Sequence, residues 1–332
     1  MKTTQNIAGL LLLALTGMVA SCSSTEVIEP AQTDETISIS VSAPDAYKFP
    51  VTRADATVQL RYTAKLYSGS AVDPDAFVER KELLASAGST ITFNVKKQGN
   101  YFITLFADYV DANASANADG CYPDKYYDTS STGDYVYMLA LKPDEGSKTY
   151  AESPINNDNF DCYAATVKVA KKGEEVNQDV ILNHAVCKVN VLNKVTEDDD
   201  PEGIDQLNIT SFSFIRQYSM TNKVGYATGS KISGTPIAFA PNNLSTGEMF
   251  YFYTFGSNNG KIEIAFEIQG KDGFTYNPVS IAQGVLIPAA NTIINVRGSF
   301  LVPSSAPDKP KDNINITVSA GDWSSTESNK DL

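Results

Sequence analysis

The sequence has one histidine and one tryptophan in 332 residues, and only four cysteines. It is also short of positive charge, with 26 lysines and arginines against 39 acidic residues and a formal net charge of −13. Each scarcity excludes something. An acidic surface repels phosphates and anionic lipid, so nucleic acid is not an expected partner. With His184 alone, a Ser-His-Asp or Cys-His nucleophile system has a single candidate base. His184 and Cys187 stand three apart in a segment that reads as strand. Odd spacing puts them on opposite faces, where they do not readily share a proton or a metal. Zinc needs clustered His and Cys ligands, and no such spacing occurs. Asp198, Asp200, Glu202 and Gly203 open like a calcium loop, but Ile209 fills the twelfth position, where an acid is required. No glycine-rich phosphate loop or nucleotide fingerprint is found. No metal, cofactor or enzymatic activity is therefore expected. Paired carboxylates for glycoside hydrolysis would be the remaining route, and no specific pair stands out. Helix signals are equally scarce. Only residues 74–87 carry one, with Asp73 as cap and Pro74 at the first position.

What is present is a globular composition, 42% hydrophobic and 20% charged, in a chain long enough for two domains with their own cores. The chain opens with Lys2 and a short apolar run, Ile7 to Ala20, too short for a comfortable membrane span. The run ends in Val19-Ala20-Ser21-Cys22. This spacing resembles the lipobox of bacterial lipoproteins. The small residues let the backbone reach the signal peptidase, cleavage falls between Ser21 and Cys22, and the Cys22 thiol carries diacylglycerol. Two or three acyl chains on one residue hold a membrane far more firmly than one myristoyl group. Ser23 rather than Asp follows the cysteine, which leaves export to the outer membrane and the cell surface open. Removing residues 1–21 takes away one lysine and no acid, so −13 becomes −14. Cys121, Cys162 and Cys187 remain. They fit one disulfide plus a free thiol, with Cys121–Cys162 conceivable, or three buried thiols.

Residues 22–35 read as a polar tether. Strands follow. Ile37, Ile39 and Val41 alternate on one face, and residues 57–67 alternate more loosely. Ile91, Phe93 and Val95 alternate again, and a turn at 96–100 leads into the nearly continuous apolar strand 101–110. After about residue 180 the pattern repeats. Strands are expected at 186–192, 207–215 and 249–255, then at 262–268 with glutamates on the solvent face, and near 279–287, 291–301 and 313–319. The Pro-rich stretch 302–312 reads as an extended connector. The prediction is an all-β chain with two Greek-key β-sandwiches in tandem, residues 36–184 and 185–332.

The loop at 111–134 is rich in Asp and Tyr. Carboxylates grip sugar hydroxyls and tyrosines stack on sugar faces. Tyr109, Tyr122, Tyr126 and Tyr127 are thus candidates for contact with a host glycan or protein.

Several segments resemble the Bacteroidetes fimbrillin superfamily: the lipobox with its tether and alternating strand, and Val180-Ile181-Leu182-Asn183-His184-Ala185-Val186-Cys187-Lys188-Val189. In the latter, His184 stands where the superfamily has arginine, and Cys187 precedes Lys188. Tyr101 to Val110, Ile287-Pro288 through Asn291 to Gly298, and Ile314, Ile316, Val318 and Trp323 resemble an uncharacterised Bacteroides family of fimbrillin-like lipoproteins. The resemblance implies two transthyretin-like sandwiches and a role in fimbria assembly or adhesion. It also implies cleavage after a basic residue in the loop following the first strand. Arg53, and secondarily Lys48, occupy that loop. The cleaved strand leaves, and a neighbour's strand fills the groove, with Ile314, Ile316 and Val318 as the candidate donor. The expectation is a surface-anchored structural or adhesive subunit that self-assembles or joins other fimbrial subunits. The alternative is a non-polymerising surface lipoprotein that binds glycan or protein.

Overall fold

The computed structural model describes residues 36–43, 57–139, 154–194, 204–226, 230–232, 237–239, 247–257, 262–271, 275–301 and 317–323. Strands dominate. The first ten are β1 (Thr36–Ser42), β2 (Val58–Ser68), β3 (Phe77–Leu84), β4 (Thr90–Asn94), β5 (Gly99–Asp111), β6 (Tyr127–Asp128), β7 (Tyr135–Met138), β8 (Tyr163–Lys171), β9 (Val176–Ile181) and β10 (Asn183–His184). The rest are β11 (Val186–Asn193), β12 (Ile204–Phe214), β13 (Gln217–Ser219), β14 (Val224–Tyr226), β15 (Ser230–Ile232), β16 (Ile237–Phe239), β17 (Glu248–Phe255), β18 (Ile262–Gly270), β19 (Val279–Leu286), β20 (Thr292–Gly298) and β21 (Thr317–Asp322).

Two sandwiches result. In the first, the sheet β4-β1-β9 faces the sheet β10-β8-β5-β2-β3 across a core that includes Ile37, Phe93, Leu105 and Val167. In the second, β17-β11-β20-β21 faces β15-β12-β18-β19, with β16 also on β12, across a core that includes Val189, Ile209, Phe250 and Phe266. Across Ala185 the chain changes sheets. His184 pairs with Tyr163, and Val186 pairs with Phe255.

The two halves are laced together. The small sheet β14-β13-β7-β6 joins strands from either side of Ala185, pairing Tyr137 with Gln217 and Tyr135 with Ser219. Residues 154–156 lie along β17, where the Asn156 amide donates to the Tyr251 carbonyl at 2.9 Å. Phe106, Tyr127, Phe160 and Cys162 belong to the second core although they precede residue 185. Gly256 sits where the chain passes residues 289–290 so closely that an added Cβ would meet the Ala290 nitrogen at 1.9 Å. Only glycine fits there.

The expected helix at 74–87 is a correction. Asp73 does cap a turn, accepting from the Asp75 amide at 3.0 Å, but the turn is a 3-10 helix of three residues. The chain then becomes β3, which pairs with β2 from Arg61↔Leu84 to Tyr67↔Phe77. Ladder hydrogen bonds and the ion pairs of Arg80 and Glu82 outweigh the local start signal.

Candidate functional site: the first strand, the last strand and the loop over β2

Strand β1 lies in the middle of its sheet, antiparallel to β4 and parallel to β9. Its alternation has a physical cause. Ile37, Ile39 and Val41 are buried in the core. On the opposite face the Ser38 and Ser40 hydroxyls meet those of Thr92 and Thr90 at 3.0 and 3.3 Å. Burying three such apolar side chains contributes roughly 1.5–3 kcal/mol each. Without β1, β4 and β9 would each present an unpaired edge over an apolar floor.

The last strand is built differently. β21 pairs antiparallel with β20 from Arg297↔Thr317 to Thr292↔Asp322. Residues 317–321 are exposed, Val318 among them. Trp323 at its end is buried. Val318 is the part of the candidate donor that the structure describes. Ile314, Ile316, Ser21, Cys22, Lys48 and Arg53 lie outside the described residues.

Part of the loop after β5 is packed down against the sheet. On β2, Leu60, Tyr62, Ala64 and Leu66 point into the core, while Arg61, Thr63, Lys65 and Tyr67 are buried on the other face. The loop covers that second face. Arg61 donates to both Asp108 oxygens at 3.0 and 2.8 Å, to Asp124 Oδ1 at 2.7 Å and to the Tyr122 carbonyl at 2.9 Å. Glu82 accepts from the Tyr122 amide at 2.7 Å and pairs with Arg80, which itself donates to the Thr129 carbonyl at 2.7 Å. Tyr67 donates to the Thr132 carbonyl at 2.9 Å. Burial works against the Arg61 charge, but Asp108, Glu82 and Asp124 more than offset it and hold the guanidinium charged. Lys65, buried and beside Arg80, is pushed down to about 8, against the pull of Asp124, Asp128 and Glu82.

This arrangement corrects part of the sugar-contact expectation. Tyr126 and Tyr127 are 1% and 0% exposed, and both rings pack edge-on against Phe160. Neither offers a face to a sugar. Tyr109 is half-buried against both cores, and Tyr122 is half-buried with its backbone tied to Arg61 and Glu82.

A model of the family of unknown function DUF6562 matches residues 29–328. The chain belongs to that family. No curated protein matches it. Among solved structures, this DUF6562 chain is similar to a candidate cell adhesion protein from Bacteroides eggerthii, at 13% identity over 87% of this chain and 96% of that one, with a TM-score of 0.49. It is similar to the fimbrial anchor protein Mfa2 from Porphyromonas gingivalis, at 13% identity over 87% and 98% of the two chains, TM-score 0.44. A fimbrial assembly protein from Parabacteroides distasonis is similar at 13% identity over 86% and 98%, TM-score 0.41.

The DUF6562 chain carries two further features. Cys121, Cys162 and Cys187 are all free thiols, and burial raises the pKa of each. His184 is buried at the junction of the sandwiches. Its Nδ1 lies 2.7 Å from Asp161 Oδ1, its ring stacks on Trp323 with centroids 3.8 Å apart, and Asp161 also accepts from the Tyr163 hydroxyl at 2.7 Å. Sequence reasoning placed His184 in a strand but could not find Asp161 or Trp323 as its neighbours, 23 and 139 residues away along the chain. It also missed Arg61. The one signal was a charged residue inside an alternating strand. Among the described residues, no group of three His, Cys, Asp or Glu is arranged to hold a metal, and no helix is long and apolar enough to cross a membrane.

Proposed function

We propose that this protein is a surface-anchored fimbrillin-like lipoprotein, held in the outer membrane through acylated Cys22, and a structural or adhesive subunit assembled by strand exchange. In this reading residues 36–184 and 185–332 are its two domains. The observation that carries it is the setting of β1. That strand is central, seats three apolar side chains in one core, and is followed by a connection containing Arg53. Cleavage there would cut the strand from the rest of the chain, leaving a groove that another strand fills by β-augmentation. The segment Ile314, Ile316 and Val318 has the same alternation and lies behind the Pro-rich stretch 302–312.

The test is size-exclusion chromatography after treatment with a trypsin-like protease. Cleavage after Arg53 is expected to yield oligomers, and deletion of residues 312–332 is expected to prevent them. Cleaved full-length protein that stays monomeric at high concentration would sink the strand-exchange reading.

A further inference from the structure

Two features of β21 differ from those of every internal strand. First, residues 317–321 are exposed, so they contribute little apolar burial to their own sheet. Among the described residues, the one strand partner of β21 is β20. Second, the residue that follows β21 is the chain's single tryptophan, and that residue is buried. The Trp323 ring stacks on His184 with an interplanar angle of 21°, lies 6.1 Å from the Tyr253 ring, and its amide donates to the Asn291 carbonyl at 3.2 Å. His184 belongs to β10 of the first sandwich and Tyr253 to β17 of the second. The His184 ring is itself held by Asp161, which Tyr163 also grips. The indole therefore bridges the junction, and the attachment of an otherwise superficial strand is concentrated in one side chain.

We infer that Trp323 is the latch that keeps β21 on its own chain, and that giving this strand to a second copy requires the indole to leave the site formed by His184 and Tyr253. The inference deepens the strand-exchange reading and rests on it for the identity of the partner. An edge strand with exposed side chains is retained only by backbone hydrogen bonds that a competing edge can replace. The aromatic anchor is the part a new sheet edge does not replace, so it sets how readily the strand departs.

Hydrogen exchange on the purified protein tests the latch without any assembly. In Trp323→Ala, amides of 317–322 should exchange about tenfold faster or more, the order of factor that a lost aromatic stack represents. Amides of β2 and β5 should keep their wild-type rates. Trp323→Phe, which retains a ring, should fall between. Rates in 317–322 within twofold of wild type would overturn the latch, as would the same acceleration throughout the chain, which marks general destabilisation. Because Trp323 is the only indole, its fluorescence reports the second half of the inference. As Arg53-cleaved protein oligomerises, acrylamide quenching of the emission should change in step, and Trp323→Ala should oligomerise faster. Oligomers whose indole keeps the quenching of the uncleaved monomer would overturn it. If cleaved wild-type protein forms no oligomers, strand exchange fails as a reading, and the exchange rates at 317–322 still decide whether Trp323 holds the strand.

Discussion

Arg61 and Asp108 stand directly opposite each other on β2 and β5, 47 residues apart in sequence, joined by two hydrogen bonds with neither side chain reached by solvent. Together with Glu82 and Asp124, the pair clamps a loop that would otherwise read as a free surface feature. A buried ion pair of this kind is weak support for stability but costly to break from one side, because the remaining charge has no partner.

Arg61→Ala should therefore destabilise the protein by about 3–5 kcal/mol, since it leaves Asp108 and Glu82 in a buried site without their guanidinium. The double change Arg61→Met with Asp108→Leu should recover much of that loss. Urea midpoints of the three proteins measure it. A loss below about 1 kcal/mol for Arg61→Ala would mean that the loop is held by other contacts.

Lys65 gives a pH dependence with a definite sign. Its folded value of about 8 lies below the ordinary 10.5, so the unfolded chain binds more protons between those limits. Stability from this group then rises with pH through that window and is lost as pH falls to about 8. Buried tyrosines act oppositely above about pH 10, where the unfolded chain loses their protons first. The comparison to make is wild type against Lys65→Met between pH 8 and 9.5. The wild type should gain stability relative to the variant as pH rises. Parallel curves would show that Lys65 does not carry the effect.

Within β1, the two faces should respond differently. Ile39→Ala removes a fully buried side chain and should cost about 2–5 kcal/mol. Ser40→Ala, whose hydroxyl bond to Thr90 is exposed, should stay within about 0.5 kcal/mol. Equal losses in denaturant titrations would contradict the one-sided seating of the strand.

Anchoring is tested by Cys22→Ala. The variant should take up no palmitate analogue in metabolic labelling, because no other cysteine follows a signal-peptide cleavage motif. Label persisting on the variant would remove the lipoprotein from the proposal.

Much of the fold was legible along the chain. The alternation of Ile37, Ile39 and Val41, and of Ile262, Ile264, Phe266 and Ile268, each reports one buried face, and the structure buries those residues. Period-two patterning is local, so the sequence by itself settled the all-β class and many of the strands. The same locality explains the error at 74–87, where a good cap at Asp73 was outweighed by pairing with β2. It also explains the continuous apolar run in β5. That strand is buried on both faces, one in the first core and one beneath the loop and second core, so alternation vanishes. Tertiary structure alone decided three things: that Tyr126 and Tyr127 fill a core instead of facing solvent, that Arg61 is a buried clamp, and that Trp323 meets His184. Each depends on contacts between residues distant in sequence. Composition and spacing specify which side of a strand is apolar, but what covers that side is fixed only when the sheets close.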